Sequence, residues 1–207
     1  MLMGRLLPRT PRELARLIAR LTPLRAEVLG GSLVLSRTDC ATRTAAVRLL
    51  ADGLRAALDA AVLVGPAPEG GLLVGRALPV AMPFDPDDFA VPDLVVRAAA
   101  GPCAAAAEPG GGLLGVRDVL LAVEVVPRQE KAGEPGHRMD WYAVACVPAL
   151  LVVDPRYGTW ALHTGPDRAG YRETLAGRFG EEVPLPAPPG GVLATDGVPR
   201  YAEGAPV

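Results

Sequence analysis

The sequence predicts a mixed α/β (α+β) domain in which helices flank a mixed β-sheet. Three observations carry this. Two early stretches repeat apolar residues at three- and four-residue spacing, a series of short β-prone runs is punctuated by Gly and Pro, and one more helical stretch interrupts those runs. The 207 residues suffice for one domain with a sizeable core, and residues 1–207 are read as such. Half the residues are hydrophobic and 21% are charged, which excludes a disordered chain.

The elements follow in order. Thr10, Pro11 and Glu13 form a capping-box start with proline at the first helical position, and Leu14, Leu17, Ile18 and Leu21 continue at helical spacing to about Pro23. "AEVLGGSLVLS" holds two β-prone runs around Gly30-Gly31, a dipeptide suited to a tight hairpin turn. Val47, Leu50, Leu54 and Leu58 mark the longest helix, from Ala41 to about Ala61. "AVLVG", "GLLVG" and "ALPVA" read as strands and connections, "FDPDD" as an acidic turn, and "VPDLVV" and "LLAVEVV" as strands. Residues 98–112 are almost entirely Ala, Gly and Pro, and read as a mobile loop or a frayed helix. "HRMDWYAVACVP" has the length of a short helix stopped by Pro148. "ALLVVDP" is a buried strand, "TWALHT" and "GYRETL" form a ribbon, and the stretch after Glu182 is a proline-rich tail.

The formal net charge of −2 gives no global positive field, so any nucleic-acid contact must be a local patch. Cys40, Cys103 and Cys146 are odd in number and widely spaced, which argues against a disulfide framework or a zinc site and for a reducing, cytoplasmic setting. No signal-peptide pattern opens the chain, and no run approaches the roughly 20 apolar residues that span a bilayer, so no membrane partner is expected. Neither a P-loop nor a dinucleotide fingerprint is present, so no nucleotide cofactor is implied, and no G-x-S-x-G supports a serine hydrolase.

What remains is a set of carboxylates on β-prone segments: Glu27, Asp93 and Glu124. Ionised carboxylates in a core are costly unless paired, hydrogen-bonded or bound to a cation. Mg²⁺, with one or two carboxylate ligands and open positions for water and phosphate oxygens, answers that need. The blander readings are a solvated strand residue for Glu27, a turn residue after Pro92 for Asp93, and an edge residue or an arginine partner for Glu124.

Pro92-Asp93 followed by Glu124-Val125-Val126 resembles the PD-(D/E)XK motif of the restriction-endonuclease-like nucleases. More narrowly, "AEVLGGSLVLS", "VPDLVV", "LLAVEVVP", "WYAVACVPALLVVDP" and "GYRETLAGRFGEEVPLP" resemble, in order and spacing, the Uma-type family of restriction endonucleases. The resemblance spans about residues 10 to 200, with the nuclease core at about 24–185. It implies metal ligation of Mg²⁺, with Mn²⁺ as an alternative, by Asp93, Glu124 and Glu27, and hydrolysis of DNA by a metal-activated water. In the family a lysine lies four residues before the tyrosine. Counting back from Tyr142, that position holds Arg138, which stays protonated and can stabilise charge but cannot act as a base. Lys131 is the other cation expected to serve catalysis. Where the family often carries a histidine, at the start of the long helix, this chain has Thr42 and Arg43. The catalytic set expected is therefore Asp93, Glu124, Arg138 and Lys131. The alternative is a catalytically degenerate member that binds nucleic acid or serves in assembly. Dimers are common among nucleases that cut both strands, and by that analogy alone a homodimer is one arrangement open to this chain. His137 lies close enough to Arg138 to approach a phosphate, while His163, Trp141, Tyr142 and Asp154 read as structural.

Overall fold

A computed structural model describes residues 8–38, 40–62, 71–99, 112–129, 134–188 and 190–202. Lys131, Cys103 and all but the ends of the Ala/Gly/Pro stretch lie outside the described residues.

Helix α1 spans Pro11–Leu21, and Thr10 caps it: its Oγ1 accepts from the Glu13 N–H at 3.2 Å. Strands β1 (Leu24–Leu29) and β2 (Ser32–Arg37) form the hairpin, and both Gly30 and Gly31 take positive φ (58° and 76°) as a tight primed turn requires. Helix α2 covers Ala41–Val62. Strands β3 (Leu72–Arg76), β4 (Val80–Met82), β5 (Asp85–Ala90) and β6 (Leu94–Ala98) follow, then the short β7 (Leu114–Gly115), a 3₁₀ turn and β8 (Val119–Val125). After α3 (Glu134–Val144) come β9 (Ala149–Asp154), β10 (Thr159–Asp167), β11 (Gly170–Arg178) and the small pair β12 (Val183–Pro184) and β13 (Val192–Leu193).

The strands form a six-stranded mixed sheet, β11-β10-β9-β8-β6-β3, and a five-stranded one, β2-β1-β5-β4-β7. In the larger sheet β8 and β9 run parallel and the other neighbours antiparallel. Alternation along β8 sends Leu121, Val123 and Val125 to one face, where they pack against Leu50, Leu54 and Leu58 of α2. Ala122 points to the other face, toward Trp141, Tyr142 and Ala145 at the end of α3. A central sheet clasped by α2 and α3 results. The smaller sheet packs Ala26, Val28 and Phe89 against Ala15 of α1.

The expected mixed central sheet flanked by helices is present, and five strands add a second sheet, because β1 pairs with β5 and not with the larger sheet. Three expectations are corrected. "FDPDD" is no acidic turn: the turn is confined to Pro83-Phe84, and Asp85 already pairs with Met82 as β5 begins, so strand pairing overrides the low β-propensity of aspartate. Helix α1 buries Ala15 rather than its leucines; Leu14, Leu17 and Leu21 are exposed, because the small side chain sits against β1. The proline-rich tail is not peripheral. Val183 and Leu193 are fully buried and join the α2 core, and the Tyr201 hydroxyl donates to the Val126 carbonyl at 2.8 Å.

Candidate active site

Alternation on β1 places Arg25 and Glu27 on the face opposite Ala26 and Val28, so two ionic side chains enter the space between the sheets. Asp93 directly precedes β6. Because Leu94 lies opposite Val123, one further step in each strand brings Asp93 beside Glu124 of β8. Glu124 shares its face with Ala122 and so points toward α3, which carries Arg138 and Tyr142 one turn apart. Arg43 arrives from the first turn of α2. Three carboxylates and three guanidiniums thus converge, all of them buried.

Glu27 is fully buried, which rules out a solvated strand residue. Its Oε1 accepts from the Val91 N–H at 2.8 Å, and its Oε2 from Arg138 Nη2 at 2.8 Å and Nε at 3.3 Å. Asp93 Oδ1 meets Arg43 Nη2 at 2.6 Å, and Oδ2 accepts from the Val125 N–H at 2.8 Å. The Tyr142 hydroxyl donates to Glu124 Oε1 at 2.7 Å, and Arg25 Nη1 to Glu124 Oε2 at 3.0 Å. All six carboxylate oxygens are engaged by a guanidinium, an amide or a phenol.

Arg25 is the hub. Its Nε donates to Ser36, the residue opposite it in the hairpin, and lies 3.4 Å from Glu27; its Nη1 also donates to the Val91 carbonyl and stands 3.9 Å from Asp93. Burial opposes every charge here, and in most cases the partners win. For Arg25, desolvation is outweighed by Glu124, Glu27 and Asp93, and its pKa lies well above the ordinary arginine value. Burial also works most strongly against Arg138, but Glu27 and Glu124 raise its pKa overall, so it stays a cation. For Glu27, burial is exceeded by Arg25, Arg138 and the Val91 N–H, and its pKa falls below the ordinary 4.5. Glu124 goes the other way: burial prevails, Asp93 adds to it, and its pKa is raised despite Arg25. Burial, with Glu124 next, raises the Tyr142 pKa well above 10.0, so its hydroxyl remains a donor.

The expected residues are therefore partly gathered. Asp93, Glu124, Glu27 and Arg138 meet in one network, Lys131 lies outside the described residues, and His137 is exposed. Glu27 faces Arg138 and the Val91 amide, and no group of three His, Cys, Asp or Glu among the described residues is arranged to hold a metal ion. Asp93 and Glu124 do fit a two-carboxylate site by their donor chemistry: both offer hard oxygens to one point, and a cation, Arg25 Nη1, stands there now. Sequence reasoning passed over Arg25, Arg43 as the partner of Asp93, and the Tyr142 hydroxyl. For Arg25 a signal existed: two residues before Glu27 on a strand, it had to share that face.

The chain is similar to a crystal structure described as a "putative nuclease belonging to DUF820" from Anabaena variabilis, with a TM-score of 0.59 and 14% sequence identity over 87% of this chain and 90% of that one, a likeness that establishes the fold. Residues 11–195 match the Uma2 family, described as "Putative restriction endonuclease", and the chain belongs to that family. No curated protein matches the sequence.

Proposed function

We propose that this protein is a nuclease that hydrolyses phosphodiester bonds of DNA with the aid of Mg²⁺ or Mn²⁺. The observation that carries the reading is the Asp93–Glu124 pair, set on neighbouring strands with both side chains reaching one cation-occupied point. In this reading Asp93 and Glu124 hold the divalent cation when Arg25 turns aside. Bound there, the ion would polarise the phosphodiester and lower the pKa of water. Arg43 and the Val125 amide fix Asp93, and Tyr142 fixes Glu124, so neither carboxylate needs to reorganise. Arg138 holds Glu27 and supplies positive charge but no base.

The test is nicking of supercoiled plasmid with Mg²⁺ and with Mn²⁺. Wild-type protein nicks, and folded Asp93→Ala and Glu124→Ala variants do not. A wild type that nicks with neither metal overturns the enzymatic reading. A second reading, a catalytically degenerate module for nucleic-acid binding or assembly, is favoured by the complete pairing of all six carboxylate oxygens, and that outcome would leave it standing. A homodimer on DNA would set one site against each strand of a duplex, and light scattering checks it.

A further inference from the structure

The network borders a cavity of about 890 Å³ that lies among α1, β1, the first turn of α2 and the end of β3. Among the described residues five arginines line it, Arg16, Arg20, Arg25, Arg43 and Arg76, against a single carboxylate, Asp93. That is a local inversion of charge in a chain whose formal net charge is −2. Arg16, Arg20 and Arg76 are exposed and make no ion pair among the described residues. Arg25, whose side chain is only 5% exposed, keeps its Nη2 buried and without a hydrogen-bond partner. A buried guanidinium donor left open is costly unless something accepts from it. Arginine's planar donor fork matches phosphate oxygens, and a concave surface of one sign concentrates the opposite charge.

We propose that this cleft is the track for a nucleic-acid backbone: Arg16, Arg20 and Arg76 hold phosphates flanking the one presented to Arg25, Arg43 and Asp93. The choice of ligand rests on the nuclease reading; the charge and the open donor are independent of it. Arg16 and Arg20, four residues apart on α1, share one helix face and act together. The remaining wall is largely Ala, Leu, Pro and Val, with no Asn or Gln among the lining residues, and Phe89, at 4% exposure, is committed to the core against α1. The cleft therefore grips phosphates, reads few base edges and offers no stacking platform. Binding is expected to be steeply salt-dependent and indifferent to sequence.

The experiment is fluorescence anisotropy with a fluorescein-labelled DNA duplex in EDTA, across about 50 to 200 mM KCl. Each phosphate contact removed lowers the slope of log affinity against log salt by about 0.9, so Arg16→Ala with Arg20→Ala lowers it by about 1.8 and Arg76→Ala by about 0.9. Arg16→Lys with Arg20→Lys retains the slope, and Arg168→Ala, an exposed arginine on the far β10–β11 turn, changes nothing. A scrambled duplex binds equally. An unchanged slope in the alanine variants, or a wild type that does not bind DNA, overturns the inference. Arginine-dependent binding without nicking leaves the cleft standing and removes the nuclease reading alone. Nicking by alanine variants that bind like wild type does the reverse.

Discussion

Replacing Glu27 with glutamine tests whether the buried ionic network holds the two sheets together. The carboxylate is fully buried, and its Oε2 takes two donors from Arg138 at 2.8 and 3.3 Å with Arg25 Nε at 3.4 Å. Glutamine can keep its carbonyl on the Val91 amide, but its NH₂ group then faces the Arg138 donors, which lose the Glu27 charge they pair with in a buried setting. Breaking one side of a buried pair costs about 3–5 kcal/mol, a large share of the roughly 5–15 kcal/mol that stabilises a typical protein. At about 2–4 °C per kcal/mol for a chain of this size, Glu27→Gln should melt roughly 6–20 °C below wild type at pH 7 by calorimetry. The pH dependence follows from the lowered pKa of Glu27. The folded state holds the ionised form more tightly than the unfolded chain does, so this stabilisation is present above about pH 4.5 and is lost as pH falls through the folded value. The deficit of the variant should therefore shrink on acidification. Glu27→Leu with Arg138→Met, which removes both charges, should recover much of the loss. A Glu27→Gln melting temperature within about 2 °C of wild type at pH 7 would refute the reasoning.

Other outcomes follow from the same geometry. Glu124→Gln abolishes nicking; because the Glu124 pKa is raised, wild-type stability falls as pH rises from 4.5 through the folded value, and chemical denaturation should show that slope missing in the variant. Tyr142→Phe removes the 2.7 Å bond to Glu124 and should cost about 1–3 kcal/mol in urea denaturation. Arg25→Ala vacates the point between Asp93 and Glu124, so millimolar Mg²⁺ should raise its melting temperature more than it raises that of wild type. Arg138→Lys restores a cation that can change protonation state; a shift in the pH profile of nicking, with fold intact by circular dichroism, would place position 138 in the reaction.

The sequence was most legible where local periodicity and burial agree. The α2 positions Val47, Leu50, Leu54 and Leu58 are all buried as their spacing predicts, and the Gly30-Gly31 turn has the backbone that its composition requires. Legibility fell at α1. Its leucines have the spacing of a core face, yet contact with β1 buries Ala15 and leaves Leu14, Leu17 and Leu21 in solvent. The tail past Glu182 misled for the same reason: proline and glycine mark turns, and only the packing of Val183 and Leu193 on α2 shows that the turns fold back into the core.

In the site, the sequence by itself singled out three carboxylates that the fold buries. Glu124 inside an apolar strand, Asp93 after Pro92 and Glu27 on the first hairpin strand are charges on β-prone segments, and such charges require partners where the strands are buried. Arg138 was singled out only through the family resemblance, as the position four residues before Tyr142. Only the tertiary structure decided who those partners are. Ion pairs and hydrogen bonds between side chains 18 to 111 residues apart, such as Tyr142 with Glu124, Arg25 with Glu124 and Arg138 with Glu27, depend on how β1, β8 and α3 meet, and no local pattern encodes that meeting. The charge inside "LLAVEVV" thus called for a cation from the sequence alone, and the fold supplies one from the chain itself, Arg25.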